Sequence, residues 1–149
     1  MFFDIWTIIN PVLRTLVYIT VLTTIGTVLF QVHINNFFYK ELSNYCRLLL
    51  KKMSVYVLFT SLVVFLSVAG NLGGDLYSTT DLSLLILAFE TLSGKSAILL
   101  FAGFFVIIIS IFINGTFSSL TKFLGIILIL WSFIIAVSYT HLTLPTNTV

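Results

Sequence analysis

Charge is what this chain has least of. Only 8% of its 149 residues are Asp, Glu, Lys or Arg, against about 25% in an ordinary soluble domain, so it cannot cover a water-facing surface with polar groups. Cysteine and proline are also scarce. A single cysteine, Cys46, excludes an internal disulfide, and the two prolines are Pro11 and Pro145. Histidine occurs only at His33 and His141. Seven basic residues against five acidic ones leave a net charge of +2, too small and too scattered to recruit nucleic acid. What remains is apolar: 59% of residues are hydrophobic and the mean hydropathy is +1.17. A lipid bilayer is the solvent in which outward-facing Leu, Ile and Phe are at home. The start, Met1-Phe2-Phe3-Asp4, has no basic segment and no small-residue cleavage site follows the first apolar run, so that run is expected to be a span rather than a secretory signal.

A hydrocarbon core of about 30 Å needs about 20 helical residues, and four runs meet that need, over about 11–34, 53–69, 96–113 and 120–135. The expected fold is an all-α integral membrane protein with four transmembrane helices and a short interfacial helix. Asn10-Pro11 reads as N-cap and first helical residue of the first span. Arg14 follows one turn inside, close enough to the interface for its stem to snorkel outward. Gly70-Asn71-Leu72-Gly73-Gly74 reads as the terminator of the second span. The recurrence of Leu42, Tyr45, Cys46, Leu49 and Met53 at helical spacing suggests that this helix begins well before 53. Residues 81–92 form a shorter apolar run capped by Asp81, expected at the interface or under the bundle, and Asn114-Gly115 breaks the third span from the fourth.

Orientation follows from the basic residues of the short connections. The first holds Lys40, Arg47, Lys51 and Lys52 against Glu41; the second holds Asp75, Asp81 and Glu90 against Lys95; the third holds Lys122. The basic connection is therefore expected in the cytoplasm and the acidic one outside, with the N-terminus outside as well.

The C-terminus changes character abruptly. Residues 137–146, Val-Ser-Tyr-Thr-His-Leu-Thr-Leu-Pro-Thr, resemble the translation of a transposon-end sequencing adapter in one reading frame. The adapter bases that precede this string require residue 136 to have a codon ending in CT, which Ala136 satisfies. The expectation is that 1–135 is native, that 136–149 is not, and that the natural chain continues past 135.

Chemical motifs are sparse. Ser93-Gly94-Lys95-Ser96 imitates the end of a phosphate-binding loop, but Phe89 stands where that loop needs glycine, so it reads as a turn leading into the third span. Gly70 to Gly74 likewise lacks the partners of a nucleotide loop. Asn114-Gly115-Thr116 matches a glycosylation sequon but falls on the expected cytoplasmic side. Metal binding needs clustered ligands, and outside the tail only His33 and Cys46 offer imidazole or thiol, thirteen residues apart. No nucleophile–base pair or carboxylate pair marks an active site, so neither an enzyme nor a cofactor site is expected in this chain. One functional candidate remains, because a cation inside a membrane helix is a site hypothesis by default. Arg14 lies on the same side as Asp75, Asp81 and Glu90, and together they could form a polar funnel. The plainer alternative is a snorkelling arginine above ordinary solvated acids.

Two elements carry a family resemblance. Arg14-Thr15-Leu16-Val17-Tyr18 followed by Gly26-Thr27-Val28-Leu29-Phe30 is similar to the first helix of the copper resistance D family, which shows Arg-aromatic-Leu-His-Tyr and then Gly-x-x-Leu-Phe. Thr91-Leu92-Ser93-Gly94 stands where that family has Thr-x-aromatic-Gly before its third long helix. Val17 replaces the family's histidine and Ser93 its aromatic. The resemblance implies a bacterial inner-membrane bundle of about eight spans, of which this is the N-terminal half. It also implies copper as the transported substrate and a role in copper transport or tolerance, with a periplasmic copper-binding protein as a partner. Arg14, Tyr18, Asp75, Asp81 and Glu90 would then form the pore wall or entrance, with the metal ligands in the missing half. Two other readings stay open: a haem- or quinone-binding membrane bundle, and a non-metal scaffold or transporter subunit.

Overall fold

Inside a bilayer every backbone N–H and C=O must be satisfied within its own segment, and this chain answers with helices almost throughout. The computed structural model describes residues 5–34, 40–113 and 116–142. They form α1 (Ile5–Ile34), α2 (Lys40–Gly73), a single 3-10 turn (Tyr77–Thr80), α3 (Leu82–Glu90), α4 (Leu92–Phe112) and α5 (Thr116–Leu142). Four stretches are long and apolar enough to cross a membrane: Trp6–Val32, Leu42–Gly73, Leu92–Phe112 and Phe117–Val137. Leu22, Phe59, Phe112, Trp131 and Ile134 project from these stretches largely exposed to the surroundings, as lipid-facing side chains do. The chain is an all-α, multi-pass membrane bundle.

The helix boundaries differ from the sequence reading in instructive ways. α1 begins at Ile5 and carries Pro11 inside it, so Asn10-Pro11 is not its start. The proline removes only one rung of the ladder, a loss that membrane helices tolerate. The threonines of α1 dispose of their own polarity: Thr15, Thr20, Thr23, Thr24 and Thr27 each donate to the carbonyl four residues earlier at 2.7–2.8 Å.

α2 has 34 residues and is therefore about 51 Å long, roughly 20 Å more than the hydrocarbon core. Arg47, Lys51 and Lys52 therefore ride on a helix packed into the basic end of the bundle rather than on a loop. Gly70 does not end α2; its bare Cα makes room for the ring of Trp6. The terminator is Gly74, at φ +80°, whose N–H returns to the Gly70 carbonyl at 2.9 Å.

Asp81 caps α3 by accepting from the Ser83 amide at 2.9 Å and its hydroxyl at 2.8 Å. Thr91 caps α4 by accepting from the Gly94 amide at 3.0 Å. Ser93-Gly94-Lys95-Ser96 is thus the first turn of α4, not a turn before it, and Gly94 lets that turn abut the Ala88 carbonyl of α3. α5 runs through 135 without interruption to Leu142. Asn114-Gly115 lies outside the described residues.

α4 and α5 form the tightest pair, antiparallel and in backbone contact where Gly103 faces Gly125. Two polar contacts lock them, a buried one from the Ser132 hydroxyl to the Ser96 carbonyl at 2.8 Å and a half-buried one from the Ser118 hydroxyl to the Ser110 carbonyl at 2.9 Å. α2 packs between α1 and α4, and α1 and α5 meet only along a narrow seam. Val17, Val21, Val57, Leu100, Phe104, Ile107 and Ile129 fill the middle of the bundle. A second cluster of Val28, Leu50, Ile111 and Ile126 fills its basic end. There Arg47 donates to the last-turn carbonyl of Ile111 at 2.7 Å, and the buried Lys122 ammonium donates to the Gln31 amide oxygen at 3.0 Å across the α1–α5 seam.

Candidate functional site

At the end that carries α3, the four long helices diverge around a cavity of about 270 Å³. α1 contributes Asn10, Arg14 and Tyr18; α2 contributes Ser67 and Asn71. The cap and first turns of α4 add Thr91, Ser93 and Ser96, and α5 adds Ser132 and Phe133, with Ala136 and Val137 at the rim. The cavity exists because α1 and α5 hardly touch there: a tilted contact between the Tyr18 and Phe133 rings, 5.4 Å between centroids, is what bridges them at this level.

Toward the basic end the cavity is blind. Val17 and Leu100 lie at its inner limit, and Val21, Val57, Phe104, Ile107 and Ile129 behind them are 2% exposed or less.

Arg14 is the only charged residue on the described lining. Among the described residues no carboxylate pairs with it. Four of the six hydroxyls on the described lining have their protons committed elsewhere, while those of Tyr18 and Ser93 remain free to donate. Ser67 donates to the Val64 carbonyl at 2.7 Å, Thr91 to Ala88 at 2.8 Å, Ser96 to Ser93 at 2.8 Å and Ser132 to Ser96 at 2.8 Å. They keep lone pairs and have no hydrogen left to give. The walls thus combine one cationic donor group and two amides, from Asn10 and Asn71, with a set of hydroxyl acceptors. Among the described side chains, none on the lining is a Cys, Met or His.

Of the residues expected to act together, Arg14 and Tyr18 meet on the cavity wall. Asp75, Asp81 and Glu90 do not join them. All three are exposed on the α2–α3 connection and on α3, outside the lining. Asp81 has a structural task, and the donated bonds from the Ser83 hydroxyl and amide hold its carboxyl below the usual carboxylate range. Cys46 is a buried free thiol in α2, and the side chain of His33 lies outside the described ones. No group of three His, Cys, Asp or Glu side chains able to hold a metal occurs among the described residues.

Sequence reasoning missed Ser67, Asn71, Ser96 and Ser132, because isolated small polar residues spread over three apolar helices form no motif. The available signal was their spacing: Ser67 and Asn71 are four apart, and Ser93 and Ser96 three apart, so each pair shares a helix face. Comparisons with protein-family models, curated proteins and solved structures return no match.

Proposed function

We propose that this chain is a copper resistance D-like bundle of the bacterial inner membrane that takes part in copper transport or tolerance, with the cavity as its outer entrance. One observation carries the reading. Two of the stretches similar to that family, Arg14 to Tyr18 and Thr91 to Gly94, are remote in sequence, yet Arg14, Val17, Tyr18, Thr91 and Ser93 line the same cavity, whereas the third, Gly26 to Phe30, lies outside it.

In this reading the basic end, with Arg47, Lys51 and Lys52, faces the cytoplasm, as the charge rule for short connections favours, and the cavity opens to the periplasm. The lining offers copper no thiolate, thioether or imidazole, the ligands that select it. The cavity would therefore admit copper as a complex with anionic ligands that Arg14 tolerates, not as the bare ion, and tight coordination would fall to residues elsewhere or to a periplasmic partner.

The test is cellular copper content and copper sensitivity in a deletion strain complemented with the wild-type gene, Arg14→Ala or Tyr18→Ala. The reading expects a copper phenotype on deletion that the wild-type gene reverses and the two variants reverse poorly. A deletion strain indistinguishable from its parent across a copper series would refute it.

A further inference from the structure

We propose that the cavity is a binding site for an oxyanion that brings its own hydrogen-bond donors, such as a phosphate or carboxylate bearing hydroxyl or amine groups. The proposal goes beyond the copper reading and does not rest on it.

The ligand class follows from which groups are already satisfied. Arg14 is a cation inside a candidate span, on the wall of the cavity, with no carboxylate partner among the described residues. A guanidinium in such a place is stabilised by an oxyanion, which it grips through paired N–H donors. A bare cation beside it is repelled. The opposite side of the cavity selects differently. The hydroxyls of Ser67, Ser96, Ser132 and Thr91 spend their protons on backbone carbonyls, so each can only accept. A ligand made of acceptors alone, such as a bare halide, would satisfy Arg14 and leave these oxygens facing other lone pairs. A ligand with an anionic group and nearby O–H or N–H groups satisfies both.

A volume of about 270 Å³ accommodates a headgroup-sized molecule. The narrow α1–α5 seam beside it, bridged at this level by the Tyr18 and Phe133 rings, is the side on which acyl chains would reach lipid. Two sources share this chemistry: an anionic lipid headgroup entering sideways and a small soluble oxyanion entering from the mouth.

Phosphatidylglycerol and glycerol 3-phosphate carry the same phosphate and hydroxyl donors with and without acyl chains, and phosphatidylcholine carries the phosphate without donors or net charge. Native mass spectrometry of the purified full chain, delipidated and re-exposed to each lipid, is expected to show one retained phosphatidylglycerol per chain. The expected preference over phosphatidylcholine is roughly tenfold or more. Arg14→Gln should abolish the preference and Arg14→Lys keep part of it. Ser93→Trp, which narrows the mouth without changing charge, serves as a second variant and should weaken binding. Retention that excess glycerol 3-phosphate does not displace assigns the lipid source. Arg14-dependent binding of glycerol 3-phosphate itself, by equilibrium dialysis, assigns the soluble one. The proposal is overturned if neither probe binds stoichiometrically. It is equally overturned if Arg14→Gln keeps phosphatidylglycerol while Arg47→Gln, at the other end of the bundle, loses it.

Discussion

Replacing Gly103 by alanine puts a methyl group where α4 and α5 leave no space. Its carbon would stand 2.7 Å from Ile129 Cγ1, 3.0 Å from the Gly125 carbonyl oxygen and 3.1 Å from the Ile129 amide nitrogen. Comfortable contacts between carbon atoms begin near 3.5 Å. Two of these neighbours are backbone atoms, which no rotamer change can move. The helices must therefore part by roughly 0.5 Å, and overpacking of this kind costs about 1–3 kcal/mol. Alanine's better helix propensity returns up to about 1 kcal/mol, leaving Gly103→Ala about 1–2 kcal/mol less stable than wild type. Gly125→Ala meets the same gap from the other side, 2.6 Å from Ile107 Cγ1 and 3.0 Å from the Gly103 carbonyl. The double variant should be less destabilised than the sum of the singles, because helices already parted have room for the second methyl. Gly26→Ala is the control: nothing lies within 4 Å of the added carbon, so it should be neutral or slightly stabilising. Equilibrium unfolding of bicelle-reconstituted protein in SDS measures all four. Equal stability of Gly103→Ala and Gly26→Ala would refute the close α4–α5 contact.

Three further outcomes follow from particular contacts. Gln31→Leu should destabilise the bundle by about 1–3 kcal/mol because it leaves the buried Lys122 ammonium short of an acceptor, whereas Lys122→Leu should be milder. The reverse order in the same unfolding assay would contradict that pairing. Asp81 has its pKa lowered in the folded state by its bonds to Ser83, so its capping contribution is complete above the pKa of an unfolded aspartate and is lost as pH falls through the lower folded value. Protection factors of α3 amides, exchange relative to the intrinsic rate at each pH, should therefore fall in acid, and Asp81→Asn, an equally good cap, should remove that pH dependence; α3 protection that does not change with pH in the wild type would count against this. Ser132→Ala should cost about 0.6 kcal/mol, the usual worth of a hydrogen bond between membrane helices, and a change above about 2 kcal/mol would mean that Ser132 does more than lock α4 to α5.

How much of this was legible in the residues depends on the physics of each feature. The four spans and α3 were, since a bilayer-length apolar run has one outcome and Asp81 is an unambiguous cap. The start of α1 was not, because Asn10-Pro11 is the usual signature of a helix beginning. The apolar residues before it have nowhere to satisfy their backbone in lipid except in the same helix, so the helix continues upstream through the proline. Gly70 was read as a breaker when its use is to admit Trp6, a contact between two helices that no local pattern contains. The length of α2 was hinted at by the spacing of Leu42, Cys46 and Leu49, although Arg47, Lys51 and Lys52 interrupt the apolar run. Arg14 stood out because charge is conspicuous in an apolar helix, and Tyr18 only through the family resemblance. The hydroxyl half of the cavity did not, since serine is unremarkable in such helices until tertiary packing gathers four of them.

The most direct test of the central claim is the labelling of single cysteines in intact cells with a membrane-impermeant maleimide, in a Cys46→Ser background. Ser93→Cys reports on the cavity and Lys52→Cys on the basic end of α2. The account predicts that Ser93→Cys reacts from outside without permeabilisation, that bulky reagents react more slowly than small ones, and that Lys52→Cys reacts only after the membrane is opened. Labelling of Lys52→Cys in intact cells with Ser93→Cys protected would place the cavity on the cytoplasmic side and contradict the proposed outer entrance.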